Sequence, residues 1–367
     1  MLSTHSKYQE EWLHEGQMAE WDAFVATSPE GNPFSTSAWL RAFRLACPSG
    51  STRVLVLRNK TGEVAAGVGL CAAKNRLGQE KAITPGLHQY ASFLYARSKT
   101  SEPDRIIGSR LELGARLAEI VEGCGFESAR LVHHPHVTDV RALMWRNWQV
   151  RPAYTFHVDL NTFYDENSFS SSQRKRCRQG REQGYSFIES DAIPCKSNLL
   201  SLLEDTFRRQ QLDLQWLDPY FGGLQGYSSY LDSLGNEAGL KCFQTVHPSL
   251  GVGAMRAGVL GSDGTFYDWI AGNESSQLQL GCSAFTILSL LKTLKDSGVT
   301  TFDFGGANTP GVADFKQTFN GRLVVAYETL WKSPKLKHRT ARVLGRLSHR
   351  ARTAAKSLFR PSQKPQD

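Results

Sequence analysis

The sequence predicts a mixed α/β protein built as two tandem domains with a basic C-terminal extension. Three observations carry this. The chain has 367 residues, more than a single hydrophobic core usually organises. A strand, helix, strand pattern over residues 265–304 follows two runs with hairpin character. Strand and helix patterning then starts afresh at YTFHVDL, residues 154–160. The boundaries expected are 1–150, 151–331 and 332–367.

In the first half, residues 21–43 hold two helical runs broken by the turn formers Ser28-Pro29-Glu30-Gly31-Asn32-Pro33. Thr36 and Ser37 are the candidate caps of the second run. Residues 53–57 and 63–72, separated by Asn59-Lys60-Thr61-Gly62, read as a β-hairpin. Leu113, Leu117, Ile120 and Val121 form a helical stripe that stops at Gly123 and Gly125, and residues 130–133 follow as a strand.

The second half opens with the strand at 154–160, then helical runs at 172–183 and 199–211. Strands follow at 241–246, 253–260 and 265–270, the last two joined by Ser262-Asp263-Gly264. Helix 282–296 ends at Gly298 and leads into strand 299–304, which makes a βαβ crossover of residues 265–304.

Composition sets limits on partners. With 40% hydrophobic and 21% charged residues the chain is that of a folded protein. The net charge of +8 is uneven: residues 332–367 hold eleven Lys or Arg against one acid, leaving 32 bases and 34 acids before them. The body is therefore not basic, which argues against nucleic-acid binding by the protein as a whole. The seven cysteines are scattered without a CxxC pair and are expected as reduced thiols in the cytoplasm. No opening apolar leader and no run near ~20 apolar residues is present, so neither secretion nor a membrane span is expected. The stretch His133-His134-Pro135-His136 lacks a metal-ligand pattern and is expected as a loop; no metal is expected.

At the start of the crossover helix, Gly281, Cys282 and Ser283 offer backbone N–H groups and the positive end of the helix dipole. Two readings are open there, a site for a donor's phosphates and an ordinary capped helix. Arg174, Arg178 and Arg181 share one helix face and could hold diphosphate or belong to a solvated surface. Arg174 and Arg178 are retained as substrate-binding candidates.

The segment FDFGGANTPGVADFKQTF, residues 302–319, resembles the closing motif of FemAB-like transferases, a branch of the GNAT acyltransferase superfamily. That branch includes peptidoglycan aminoacyltransferases and polysaccharide-cluster acetyltransferases. GNPFSTSAWL at 31–40, YTFHVDL at 154–160, RKRCRQGREQGYSF at 174–187 and AGVLGSDGTFYDWIAG at 257–272 stand in family-like order. The resemblance implies two tandem GNAT-like domains with the second catalytic, and a lysine of the Phe-Lys pair near the reacting carbonyl. On that pattern Lys316 is the catalytic candidate, beside Phe315. The long helical coiled-coil insertion of some members is missing here.

Acyl transfer to an amine needs a neutral nucleophile, a route for its proton and stabilisation of the oxyanion. Lys316 would supply positive charge, and Asp268 and Asp303, on neighbouring strands, are candidates to remove the proton directly or through water, Asp303 having the further readings of facing solvent or anchoring the Gly305-Gly306 turn. Tyr267, Trp269, Asn308 and Phe315 are substrate-binding candidates, with core packing the other reading of Tyr267 and Trp269. The expected donor is acyl-CoA, acetyl-CoA foremost, as a co-substrate with no tightly bound cofactor; aminoacyl-tRNA is the alternative. The expected acceptor is an amine of a cell-envelope saccharide or peptidoglycan precursor. A non-catalytic GNAT-like scaffold in envelope assembly is the alternative of a different class.

Residues 335–359 carry apolar positions at helical spacing among Arg and Lys. A basic amphipathic helix touching anionic membrane at the inner face of the cytoplasmic membrane, an RNA contact and a solvated tail are all consistent with this pattern.

Overall fold

The computed structural model describes residues 7–75, 78–86, 88–209, 224–235 and 238–334. The expected tail helix lies outside them, as does the end of the helical run expected to reach residue 211.

The first half runs β1 (Gln9–Leu13), α1 (Met18–Thr27), α2 (Ser37–Ala46), β2 (Gly50–Arg58), β3 (Val64–Lys74), β4 (Glu80–Ile83), β5 (Leu94–Tyr95), α3 (Pro103–Gly123), β6 (Ser128–Val132) and α4 (Arg141–Trp145). Strand β7 (Gln149–Asp159) leads into the second half, α5 (Ser171–Glu182), β8 (Ser186–Asp191), α6 (Ala192–Arg209), α7 (Leu224–Leu234), β9 (Leu240–His247), β10 (Gly251–Leu260) and β11 (Thr265–Asn273). The chain closes with α8 (Cys282–Asp296), β12 (Thr301–Asp303), α9 (Pro310–Lys316) and β13 (Arg322–Lys332).

Local chemistry explains several of these elements. The β2–β3 hairpin closes through Asn59, whose side chain accepts from the Thr61 and Glu63 amides, with Gly62 at φ +83°. A side-chain carbonyl stands in for the backbone acceptor of a turn, as in an Asx-turn. Helix α2 is capped differently from expectation. Thr36 occupies the cap position but donates to Pro33 O, and Asp22 from α1 takes the Ser37 amide at 2.7 Å. A longer-range carboxylate therefore replaces the local cap and ties the two helices together.

All strands join one mixed sheet in the order β1-β2-β3-β4-β6-β13-β7-β12-β11-β10-β9-β8, with β5 beside β3. The last strand does not lie at the end of its own half. It pairs with β7 over Arg322–Leu330 and with β6 over Glu328–Lys332, so it lies between the last strand of the first half and the strand that opens the second. Strand β7 in turn pairs with β12 through Asp159–His157 and Thr301–Asp303. The β6–β13 pairing thus joins the two halves into one continuous sheet.

Two parallel crossovers organise the sheet, β4–α3–β6 and β11–α8–β12. In the second, pairing covers only Thr265–Tyr267 against Thr301–Asp303, after which the strands separate. Such a splay leaves backbone and side chains unpaired in the middle of a sheet and opens a cavity there.

One core cluster spans both halves, packing Trp39, Leu40 and Phe43 of α2 against Tyr227 and Tyr230 of α7 and Trp269 of β11. Burying an aromatic side chain of this size contributes about 2–3 kcal/mol. The halves are held by a shared apolar core as well as by the β6–β13 pairing.

Candidate active site

The splay of β12 from β11 opens a cavity of about 380 Å³. Its wall takes Arg256, Asp268 and Trp269 from β10 and β11, Gly305, Gly306 and Lys316 after β12, and Gln89 and Tyr90 from the first half. Asp268 and Trp269, consecutive on β11, both line it.

Arg256 and Asp268 form a buried bidentate pair: Nε donates to Oδ1 at 3.0 Å and Nη2 donates to Oδ2. The residues are 5% and 6% exposed. Burial raises the Asp268 carboxyl above its ordinary range despite the opposing pull of Arg256. The Arg256 guanidinium also lies 6.0 Å from the centre of the Phe304 ring.

Lys316 reaches the cavity from the end of α9. Its ammonium donates to the carbonyls of Phe304, Gly305 and Gly306 at 2.7, 2.6 and 2.8 Å. All three protons are thereby engaged, and the ammonium closes the turn that follows β12. Burial pushes its pKa down to about 8, with Asp268 acting in the opposite sense.

Asp303 is wholly buried and accepts from three groups: Thr155 Oγ1 at 2.5 Å, Tyr90 Oη at 2.7 Å and the Gly305 amide at 2.8 Å. His157 Nε2 stands 3.4 Å from Oδ2. Burial alone would raise this carboxyl, but His157, Thr155 and Tyr90 together hold it at about 2. Gln89 Nε2 donates to Asp268 O at 2.8 Å, which leaves its Oε1 buried without a partner among the described residues.

The remaining expected residues divide clearly. Asn308 lines the cavity and accepts from the Tyr154 amide at 2.9 Å. Tyr267 lies beneath the cavity wall, fully buried, its hydroxyl 3.1 Å from His134 Nε2 and 3.2 Å from Asp263 Oδ2. Phe315 stands outside the wall and packs edge-on against Phe319 at 5.0 Å. Arg174 donates to the carbonyls of Asn167 and Phe169, Arg181 pairs with Glu166, and Arg178 is exposed, all on α5 and away from the cavity.

Gly281, Cys282 and Ser283 are also outside it. A Cβ on Gly281 would lie 2.2 Å from Arg176 O, so α5 crosses directly over the start of α8. Cys282 and Ser283 are buried. Gly281, at φ +83°, serves a close helix crossing. Of the two readings of this helix end, the packed one describes its surroundings.

Sequence reasoning missed Gln89, Tyr90 and Arg256. His133–His136 is a loop, as expected; within it His133 and His134 are buried against the second half, His133 Nε2 standing 2.9 Å from Thr329 Oγ1. A buried charge such as Asp268 demands a partner, and Arg256 supplies it diagonally, from two positions before Gly258, the register partner of Asp268 on β10.

Two parallel crossovers in one continuous sheet, with the second splayed around a polar cavity, define a tandem GNAT-fold protein. The chain is similar in structure to FemX, with a TM-score of 0.62 at 14% identity over 87% of this chain and 96% of that one. It is also similar to a tandem GNAT protein from the clavulanic acid biosynthesis pathway, with a TM-score of 0.54 at 10% identity over 89% and 99% of the two chains. The C-terminal domain of a putative lysylphosphatidylglycerol synthetase from Agrobacterium fabrum matches with a TM-score of 0.55 at 12% identity over 86% and 92%. No family model and no curated protein matches the sequence. At these identities the likeness is one of fold, and it is the fold expected from residues 302–319.

Proposed function

We propose that the chain is an N-acyltransferase that uses the splay between β11 and β12 to hold an acyl group while an amine attacks it. The observation that carries this reading is the convergence of Lys316, the Arg256–Asp268 pair and Gln89 on one cavity. In a site of low dielectric, fixed positive charge stabilises a developing oxyanion far better than water does. Lys316 acts through the Gly305–Gly306 turn it closes and through its charge. Asp268, raised by burial and still paired, accepts a proton more readily than an ordinary carboxylate. Gln89 Oε1 is an acceptor suited to orient the incoming amine.

For the acceptor we retain an amine of a cell-envelope saccharide or peptidoglycan-type precursor. Acyl-CoA in the usual mode needs an open helix N-terminus for its diphosphate, and α5 covers that of α8. The start of α3 is exposed but carries Glu102 and Asp104. This weighs against acyl-CoA held in that mode, while the near-neutral body weighs against aminoacyl-tRNA, so both donors enter the test. The non-catalytic scaffold and a membrane contact through residues 333–367 are separate readings that the cavity does not favour. Among the described residues no helix is long and apolar enough to cross a membrane.

The test is mass-spectrometric detection of acylated product when purified protein meets acetyl-CoA or aminoacyl-tRNA with muropeptide and amino-sugar acceptors. Transfer that requires Arg256 and Lys316 supports the reading. Absence of transfer from both donors, or transfer unchanged by both Arg256→Ala and Lys316→Ala, removes it.

A further inference from the structure

A second cavity, about 690 Å³, lies farther along the same sheet face and is lined by His134, His157, Asp159, Asp263 and Arg322 among others. Thr155 and His157, two residues apart on β7, share a face. Thr155 stands in the wall of the first cavity and His157 in that of the second. Between them is the buried carboxylate of Asp303, which accepts from Tyr90 and Thr155, both in the first cavity's wall, and whose Oδ2 is also approached at 3.4 Å by Nε2 of His157 from the second cavity's wall. Among the described residues that nitrogen has no hydrogen-bond partner.

We propose that Tyr90, Asp303 and His157 form a proton outlet from the first cavity to the second, an inference that rests on the acyl-transfer reading of the first. An amine acceptor arrives largely as its ammonium and must lose one proton before it attacks. On attack the C–N bond forms and the bond from the carbonyl carbon to the carrier's oxygen or sulfur breaks. Asp268 takes the nitrogen's second proton and passes it to that leaving atom. One proton is left over, and the bound donor and acceptor block its path to solvent through the filled cavity. It moves from the nitrogen to Tyr90 Oη as the tyrosine's own proton passes to Asp303 Oδ2, then to His157 Nε2, and from His157 to water in the second cavity. Charged and titratable groups around His157 are Asp303 on β12, Arg322 as its register partner on β13, His134 from the first half, and Asp263 before β11.

His157→Ala leaves a space that opens on a cavity large enough for imidazole. With whichever donor and acceptor the wild type uses, the variant is expected to lose about 100-fold in kcat with KM unchanged. Added imidazole is expected to restore the rate of this variant while leaving the wild type unaffected. Tyr90→Phe, which removes one hydroxyl, is expected to be slow and not rescued. A His157→Ala protein of native Tm that works at full rate, or is slow without rescue, overturns the outlet. Should that variant fail to fold, Tyr90→Phe decides: a full rate overturns the outlet, and a slowed rate with an enlarged solvent deuterium isotope effect supports it. A wild type inactive with both donors overturns the acyl-transfer reading and the outlet with it, whereas an active wild type with unaffected variants overturns the outlet alone.

Discussion

The hydroxyl of Tyr267 lies 3.1 Å from Nε2 of His134, and this contact ties a central strand of the second half to a loop of the first. It is one of three such ties. His88 meets the Tyr230 hydroxyl, and His133 meets Thr329. In each, a buried histidine of the first half faces a hydroxyl of the second.

Burial depresses His88 and His134 to about 3 and His133 to about 4, with the neighbouring His136 adding to the effect at His134. A histidine favoured in its neutral form contributes fully above its unfolded value near 6.5 and loses that contribution as pH falls toward the folded value. Each one removes about 1.4 kcal/mol per pH unit in that window. Thermal melts are expected to fall steeply between pH 6.5 and about 4. His134→Gln should flatten the curve, and equal Tm across that window would contradict the account.

Asp303→Ala removes the acceptor shared by Tyr90, Thr155 and the Gly305 amide. Three buried donors then lose their partner, and urea unfolding is expected to show a loss of about 3–5 kcal/mol. Because the folded carboxyl sits at about 2, its contribution is present above the ordinary value of 3.8 and disappears as pH falls between the two.

Arg256→Ala leaves Asp268 charged and unpaired in the interior, at a cost of about 3–5 kcal/mol. Asp268→Asn combined with Arg256→Met removes both charges and is expected to recover most of that loss without recovering transfer. A double variant no more stable than the single one in chemical denaturation would show that the pair is not coupled.

Lys316 is held at about 8, so the rate of transfer is expected to fall above that pH as the ammonium is lost. The same group cannot cause unfolding there. Its folded pKa is below its ordinary 10.5, so between the two values the unfolded chain binds more protons and stability rises with pH. A rate limb near 8 with an unchanged or higher Tm is the expected pair of observations, and Lys316→Met should abolish the limb.

Gly281→Ala places a methyl group against Arg176 O at a position with φ +83°. Separation of α5 from α8 and a strained backbone are expected to cost about 1–3 kcal/mol in Tm-derived stability. An unchanged Tm would contradict the close crossing of α5 over α8.

Much of the framework was legible in the sequence because it rests on local periodicity. The β2–β3 hairpin, the β11–α8–β12 crossover and the strand before α5 follow from alternation, turn chemistry and a helical stripe. Asp268, Asp303, Lys316, Trp269 and Asn308 were named from the sequence and lie at or against one cavity. Phe315 and Arg174 were drawn by motif and charge to a role that packing does not give them, since neighbouring Phe319 and the carbonyls of Asn167 and Phe169 occupy them.

The sequence by itself determined the class of fold and the chemical kinds of side chain the second half can offer, because both follow from neighbours along the chain. Only the tertiary structure decided which of them meet. The entry of β13 between β6 and β7, and the arrival of Gln89, Tyr90 and His134 over the second half, depend on contacts between residues more than a hundred positions apart. Such contacts form through burial and hydrogen-bond satisfaction across the whole sheet, and no local pattern encodes them.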